Sequence, residues 1–106
     1  MPKYLFEASY SPQGVQGIHD KGGTARVDAV NQMAEALGGK LESFYFALGD
    51  VDAYVTVDLP DNEAVTACAL AVNASGLVTV KTVQLLTPAE VDSAAKLSAD
   101  YRPPGD

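Results

Sequence analysis

The chain of 106 residues has the length of one ordinary domain, and its 47% hydrophobic and 20% charged residues are typical of globular proteins. Its formal net charge of −7, with only seven Lys and Arg side chains, argues against binding to nucleic acid or to an anionic membrane surface. The single cysteine, Cys68, cannot form an internal disulfide, and no segment has the roughly 20 apolar residues of a membrane-spanning helix.

The first strand is predicted over Lys3–Tyr10, which is rich in aromatic and apolar residues and too short for an ordinary helix. Its alternation places two sets of side chains on opposite faces, Tyr4, Phe6, Ala8 and Tyr10 against Leu5, Glu7 and Ser9. Ser11-Pro12 offers a cap and a first-turn proline, so a short helix is predicted that ends near Ile18. Residues 19–23 are predicted to form a loop.

A long helix is predicted over residues 25–37, with Thr24 as its N-cap and Gly38-Gly39 as its end. Two strands follow, over residues 40–48 and 51–59, joined by a turn at Gly49-Asp50. Alternation assigns one set to the face covered by helices, Phe44, Phe46, Val55 and Val57. The opposite, open face takes Tyr45, Ala47, Tyr54 and Thr56.

In the second half, Asp61 is predicted to cap a helix that ends within residues 73–76 and buries Val65 and Cys68. A fourth strand is predicted over residues 77–86, with Gln84 on the open face. Thr87-Pro88-Ala89-Glu90 matches a capping box and predicts a short final helix.

The order of elements predicts an antiparallel four-stranded sheet with helices on one face, which is a ferredoxin-like α+β sandwich. We expect one domain over residues 1–97 and a flexible C-terminal tail over residues 98–106, where Pro103-Pro104-Gly105 cannot continue a helix.

The central stretch resembles the GYD domain family of small bacterial proteins. The matching positions are Gly38-Gly39-Lys40-Leu41, Phe44-Tyr45, Leu48-Gly49, Asp52 and Leu59-Pro60-Asp61, with Tyr4, Tyr10, Gly14 and Arg26 elsewhere. The chain departs from the family at Val51, where the tyrosine of the Gly-Tyr-Asp signature is expected. The resemblance implies a dimeric α/β-barrel assembly, in which ferredoxin-like subunits pair through their open sheet faces, and it implies no particular activity.

Glu7 is the polar residue that the pattern singles out, because it is predicted on the open face near Tyr45, Tyr54 and Thr56. A carboxylate among apolar and aromatic groups can serve as a general acid or base, and the tyrosines can then orient a ligand. The alternative interpretation is that Glu7 is hydrogen-bonded at a wet subunit interface, and we prefer it. Tyrosines in such positions are more often packing residues with a satisfied hydroxyl.

His19, the only histidine, could lie at a pocket rim, although a solvated loop residue is the more common case. Asp52 is expected to support the turn beside it or to pair with Arg26. The aspartates of this region do not follow the spacing of a hard-cation loop, so we expect no metal site. No phosphate-binding glycine motif occurs, and we expect no cofactor.

The leading hypothesis is a homo-oligomeric module that binds a small organic molecule on or beside the open sheet face. A cofactor-independent enzyme, of an isomerase or monooxygenase type, is the alternative, with Glu7 as its acid–base residue. A purely structural assembly protein without a ligand is the third possibility. Because Met1–Glu7 lacks the apolar run of a signal peptide, we expect a cytoplasmic protein.

Overall fold

The computed structural model describes all residues, Met1–Asp106, as four strands and four helices. In chain order these are β1 (Lys3–Tyr10), α1 (Pro12–Lys21), α2 (Gly23–Ala36), β2 (Lys40–Phe46), β3 (Ala53–Asp58), α3 (Asn62–Ala74), β4 (Val78–Leu85) and α4 (Pro88–Ala95).

The four strands form one open sheet in the order β2-β3-β1-β4, and all three neighbouring pairs are antiparallel. β3 lies between β1 and β2, and β1 lies between β3 and β4, so each βαβ unit encloses one strand of the other. This is the split βαβ arrangement of a ferredoxin-like α+β fold, which confirms the predicted fold class.

The core lies between the sheet and the helices α2 and α3, and it follows the predicted alternation of the strands. Tyr4, Phe6 and Ala8 of β1 are buried, and they pack in one cluster with Val30 of α2 and with residues of α3. Val55 and Val57, which were predicted on the helix side, are buried, and the same alternation buries Val51, Ala53 and Leu59. The other face of the sheet carries no helix in this chain and is called the open face below.

The prediction of a loop over residues 19–23 is wrong, because α1 continues to Lys21 and includes His19 in its last turn. Gly22, with a φ of 85°, ends α1 and begins α2 at once, a conformation that suits glycine. Thr24 is therefore not the N-cap, since α2 starts at Gly23 and has no side-chain cap.

Two strands are shorter than predicted, because the connection between β2 and β3 is wider than a tight turn. β2 ends at Phe46 and β3 begins at Ala53. The Ala47 N–H donates to the Asp52 carbonyl at 2.8 Å, which closes a loop over residues 48–51 with Gly49-Asp50 at its middle. A register shift between Leu41 and Ser43 marks a bulge in β2.

The predicted caps of the later helices are confirmed. Asp61 accepts a hydrogen bond from the Ala64 N–H at the start of α3, and Thr87 and Glu90 form a capping box at α4. The prediction for Gln84 is wrong, because it pairs with Tyr4 and so lies on the helix side of the sheet. Every residue from 86 to 106 is exposed, including all of α4.

Candidate functional site

A row of four side chains crosses the middle of the open face from one edge of the sheet to the other. Tyr45 of β2 lies opposite Tyr54 of β3, Tyr54 lies opposite Glu7 of β1, and Glu7 lies opposite Lys81 of β4. Directly opposed residues point to the same side of a sheet, with Cβ atoms roughly 5 Å apart. The row therefore brings two phenols, a carboxylate and an ammonium group together; it is called the Glu7 row below.

The adjacent row is polar on one half of the sheet and apolar on the other. It runs from Ser43 through Thr56 and Leu5 to Val83. The hydroxyls of Ser43 and Thr56 hydrogen-bond to one another, which satisfies the polar half, whereas Leu5 and Val83 offer only methyl groups.

The row beyond that is ionic. Lys3 of β1 lies opposite Asp58, and its Nζ donates to Asp58 Oδ1 at 2.8 Å. Lys3 also forms an ion pair with Glu42 from the bulged part of β2. These charges occupy one end of the open face, so the Glu7 row and its apolar neighbours lie at the centre.

The centre of the open face exposes large side chains to solvent. Tyr45 is 71% exposed, Tyr54 is 40% exposed and Val83 is 41% exposed. Leu5 and Glu7 are partly covered, because each lies between neighbours on both adjoining strands. An exposed surface with aromatic anchors, aliphatic groups and a few polar groups is typical of an interaction surface.

Asp52 supports the backbone at the end of β1. Its Oδ2 accepts a hydrogen bond from the Tyr10 N–H at 2.8 Å, and its own N–H donates to the Ala8 carbonyl at 2.8 Å. No ion pair joins Asp52 to Arg26. The Asp52 side chain therefore holds the end of β1, and no side-chain hydrogen bond joins it to the turn over residues 48–51.

His19 lies apart from the other predicted site residues. Its side chain is 82% exposed on α1, and its Nδ1 is 3.6 Å from the Asp20 carboxylate next to it. The structure thus brings Glu7, Tyr45 and Tyr54 together, places Asp52 near the end of the same face, and leaves His19 on a helix surface.

Cys68 is a core residue. Burial raises the pKa of its thiol, which disfavours the reactive thiolate, and its Sγ lies 3.9 Å from Met33 Sδ. No group of three or more His, Cys, Asp and Glu side chains converges on a point where a metal ion could bind. No helix combines the length and the apolar character needed to cross a bilayer.

Two features of the structure were not predicted from the sequence, the position of Lys81 on the open face and the environment of Arg26. Lys81 could have been found from the alternation of β4, because buried Val78 requires the odd-numbered residues after it to face the open side. Arg26 lines a cavity of about 440 Å³, which lies on the helix side of the sheet. None of the predicted site residues lines that cavity.

Comparison with known proteins gives one match. The family model of the GYD domain matches residues 4–95, from the second residue of β1 to the end of α4. No curated protein and no solved structure matches the chain.

Proposed function

The chain belongs to the GYD domain family, and from its open sheet face we propose that it is a homo-oligomeric module that binds a small organic molecule. The observation that carries this proposal is the Glu7 row, in which a carboxylate lies between a phenol and an ammonium group at the centre of an exposed face. Such a row offers both hydrogen-bond donors and hydrogen-bond acceptors to a ligand.

The composition of the open face supports the proposed self-association. A two-fold axis makes one surface serve both subunits, so a single patch with aromatic and aliphatic side chains can be buried against itself. Tyr45, Tyr54 and Val83 supply the exposed apolar area, and Tyr is among the residues enriched at interfaces. We propose that two copies pair in this way, which is also what the family resemblance implies.

The ligand site follows from the polar groups that pairing would enclose. Glu7 and Lys81 would lose water, and buried polar groups need hydrogen-bond partners. In a two-fold pair the carboxylate of one copy can meet the ammonium group of the other, and a small polar molecule can occupy the remaining space between the tyrosines. We therefore propose Glu7, Tyr45 and Tyr54 as ligand contacts, with Lys81 added to them.

A cofactor-independent enzyme is the second candidate. The observation in its favour is that Glu7 has both a phenol and an ammonium group as cross-strand neighbours, so that one row contains proton donors and a proton acceptor. In that function Glu7 would transfer the proton and the tyrosines would orient the substrate.

Native mass spectrometry of the purified protein tests the proposal, because one spectrum reports both the number of subunits and the mass of a retained molecule. We expect a dimer that carries an additional small mass. Tyr45→Lys should give a monomer, because it places a charge in the interface, and Glu7→Gln should give a dimer without the added mass.

Leu48→Lys is the matched control, since Leu48 is fully exposed in the loop between β2 and β3 and lies outside the Glu7 row. It should leave the dimer and the added mass unchanged. A parent protein that is monomeric at low micromolar concentration contradicts the assembly. A dimer without added mass, before and after Glu7→Gln, contradicts the ligand and favours a structural assembly protein.

A further inference from the structure

A cavity lies on the side of the sheet opposite the open face. It is a groove of about 440 Å³ between the α1–α2 pair and the C-terminal half of α3. Its walls are mainly apolar and include Ala29, Val30, Met33, Val72 and Val78. A volume of this size lies within the range of small-molecule sites, roughly 300–1,000 Å³.

The charges around the groove are all of one sign. Arg26 and Lys21 line it, and no Asp or Glu side chain does. The chain as a whole has 14 acidic and seven basic side chains, so a groove with two cations and no carboxylate departs from the average surface. Its local charge therefore favours an anion, although the net charge of the protein is negative.

Arg26 is partly buried, and its Nε has no acceptor within the chain. The Nε atom itself is buried, and the residue takes part in no ion pair. The guanidinium carbon lies 6.0 Å from the centre of the Tyr10 ring, a contact that orients the group but accepts no hydrogen bond. Buried donors without an acceptor are rare and costly, so an acceptor supplied by a ligand would remove this cost.

Gly14 allows the wall of the groove to form where it does. A Cβ atom at this position would collide with the Leu77 carbonyl oxygen, so only glycine lets α1 approach the start of β4 so closely. The Ser11 N–H donates to the same carbonyl at 2.9 Å, and its Oγ caps α1 at the Gly14 N–H. The groove is thus bounded by a helix held in place by backbone contacts.

We propose that this groove binds a small carboxylate with an apolar body. The planar guanidinium of Arg26 matches a carboxylate in two parallel hydrogen bonds, and Lys21 adds a second positive charge at the mouth. The apolar body lies against Val30, Met33 and Val72. This site does not depend on the proposed function of the open face, because the two surfaces lie on opposite sides of the sheet.

The test compares octanoate with 1-octanol, two probes of equal chain length that differ in charge. Each is titrated into the protein of residues 1–106 while amide NMR signals are recorded. Octanoate should bind at least about 10-fold more tightly than 1-octanol, which is the size expected of a charged hydrogen bond. Its largest shifts should fall on residues 25–33 and 71–78.

Arg26→Met keeps an apolar side chain of similar length and removes the charge, so the preference for octanoate should disappear while 1-octanol binding persists. Lys21→Gln should weaken octanoate by a smaller factor, about threefold. Lys96→Gln removes one charge directly after α4, at a residue that does not line the groove, and should change neither affinity.

Equal affinities of the parent protein for the two probes, or no binding of either at millimolar concentration, would overturn the proposal. Octanoate shifts confined to Leu5, Tyr54 and Val83 would also overturn it, because they would place the anion on the open face. If the amide spectrum shows that Arg26→Met does not fold, the Lys21→Gln variant decides instead. The site is rejected if Lys21→Gln binds octanoate with the same affinity as the control variant Lys96→Gln.

Discussion

Gly39 lies in a crowded part of the structure and Gly17 in an open part. The difference shows how much a single residue contributes to the packing of this protein. A Cβ atom on Gly39 would collide with the Asp58 carbonyl oxygen and would lie 2.9 Å from Leu59 Cδ2. Gly39 therefore allows the start of β2 to approach the end of β3. Gly17 in α1 has no atom within 4 Å of such a Cβ.

These surroundings predict opposite effects of the same substitution. Gly39→Ala should lower the free energy of unfolding by about 1–3 kcal/mol, because the added methyl group must displace backbone atoms. Gly17→Ala should raise it by up to about 1 kcal/mol, since alanine favours a helix and meets nothing. Urea unfolding of both variants at one protein concentration measures the difference.

Equal destabilisation by the two substitutions would contradict this account of Gly39. Gly49→Ala serves as a further control, because its Cβ also has open surroundings and it lies in a loop. It should change the free energy of unfolding by less than about 0.5 kcal/mol.

Individual residues also show what could be predicted from sequence. Alternation correctly predicted the buried set of β3 and the position of Glu7 beside Tyr54, because burial on one face of a strand determines which side chains share the other. The end of α1 was predicted wrongly, because Gly14 and Gly17 lower helix propensity while tertiary contacts sustain the helix. The position of Arg26 in a groove depends on how far α2 lies from α3, and no local pattern encodes that distance.

At the scale of elements, α4 has a well-capped N-terminus but packs none of its side chains into the core. Thr87 Oγ1 accepts a hydrogen bond from the Glu90 N–H, and Glu90 Oε1 accepts one from the Thr87 N–H. The hydrogen bonds with Thr87 lower the pKa of the Glu90 carboxyl. No residue of α4 is buried, so its stability depends on its own capping rather than on packing.

Thr87→Ala should therefore reduce the helical population of α4 by about fivefold, the effect of losing an N-cap. Unfolding of the sheet domain should be unchanged, because α4 does not take part in its core. Secondary chemical shifts of residues 88–95 measure the first quantity, and urea unfolding followed by tyrosine fluorescence measures the second. A loss of global stability equal to the local loss would mean that α4 packs against the domain.

The same contact predicts a pH dependence. The pKa of Glu90 is lowered in the folded helix. Its contribution to the stability of α4 is therefore fully present above the ordinary pKa of a glutamate. It is lost as the pH falls through the lowered value. The shifts of residues 88–95 should move towards coil values in that acid range, and in Glu90→Gln this movement should be absent.

At the scale of the whole molecule, the folded chain is more extended in space than a compact domain with the same number of residues. Its radius of gyration is 16.9 Å and its extents are 57 × 33 × 23 Å. A compact domain of about 100 residues has a radius of gyration of about 13 Å. Residues 86–106 are exposed throughout, so this part of the chain adds length without adding to the core.

The molecule also differs between its two sides. One side of the sheet is covered by α2 and α3, with a cationic groove between them. The other side has no helix and exposes Tyr45, Tyr54 and Val83. An uncovered sheet face with exposed aromatic and aliphatic side chains is typical of an interaction surface, and a second copy is the partner that we propose for it.

Isotope-filtered NMR on a mixture of labelled and unlabelled protein tests this pairing most directly, because it detects only contacts between different chains. We expect intermolecular nuclear Overhauser effects between the ring protons of Tyr45 or Tyr54 and the methyl groups of Leu5 or Val83. They should vanish in Tyr45→Lys and persist in Leu48→Lys. Intermolecular contacts that come only from α2 and α3 would contradict the proposed interface. The absence of any intermolecular contact, in a sample that sediments as a monomer, would contradict it as well.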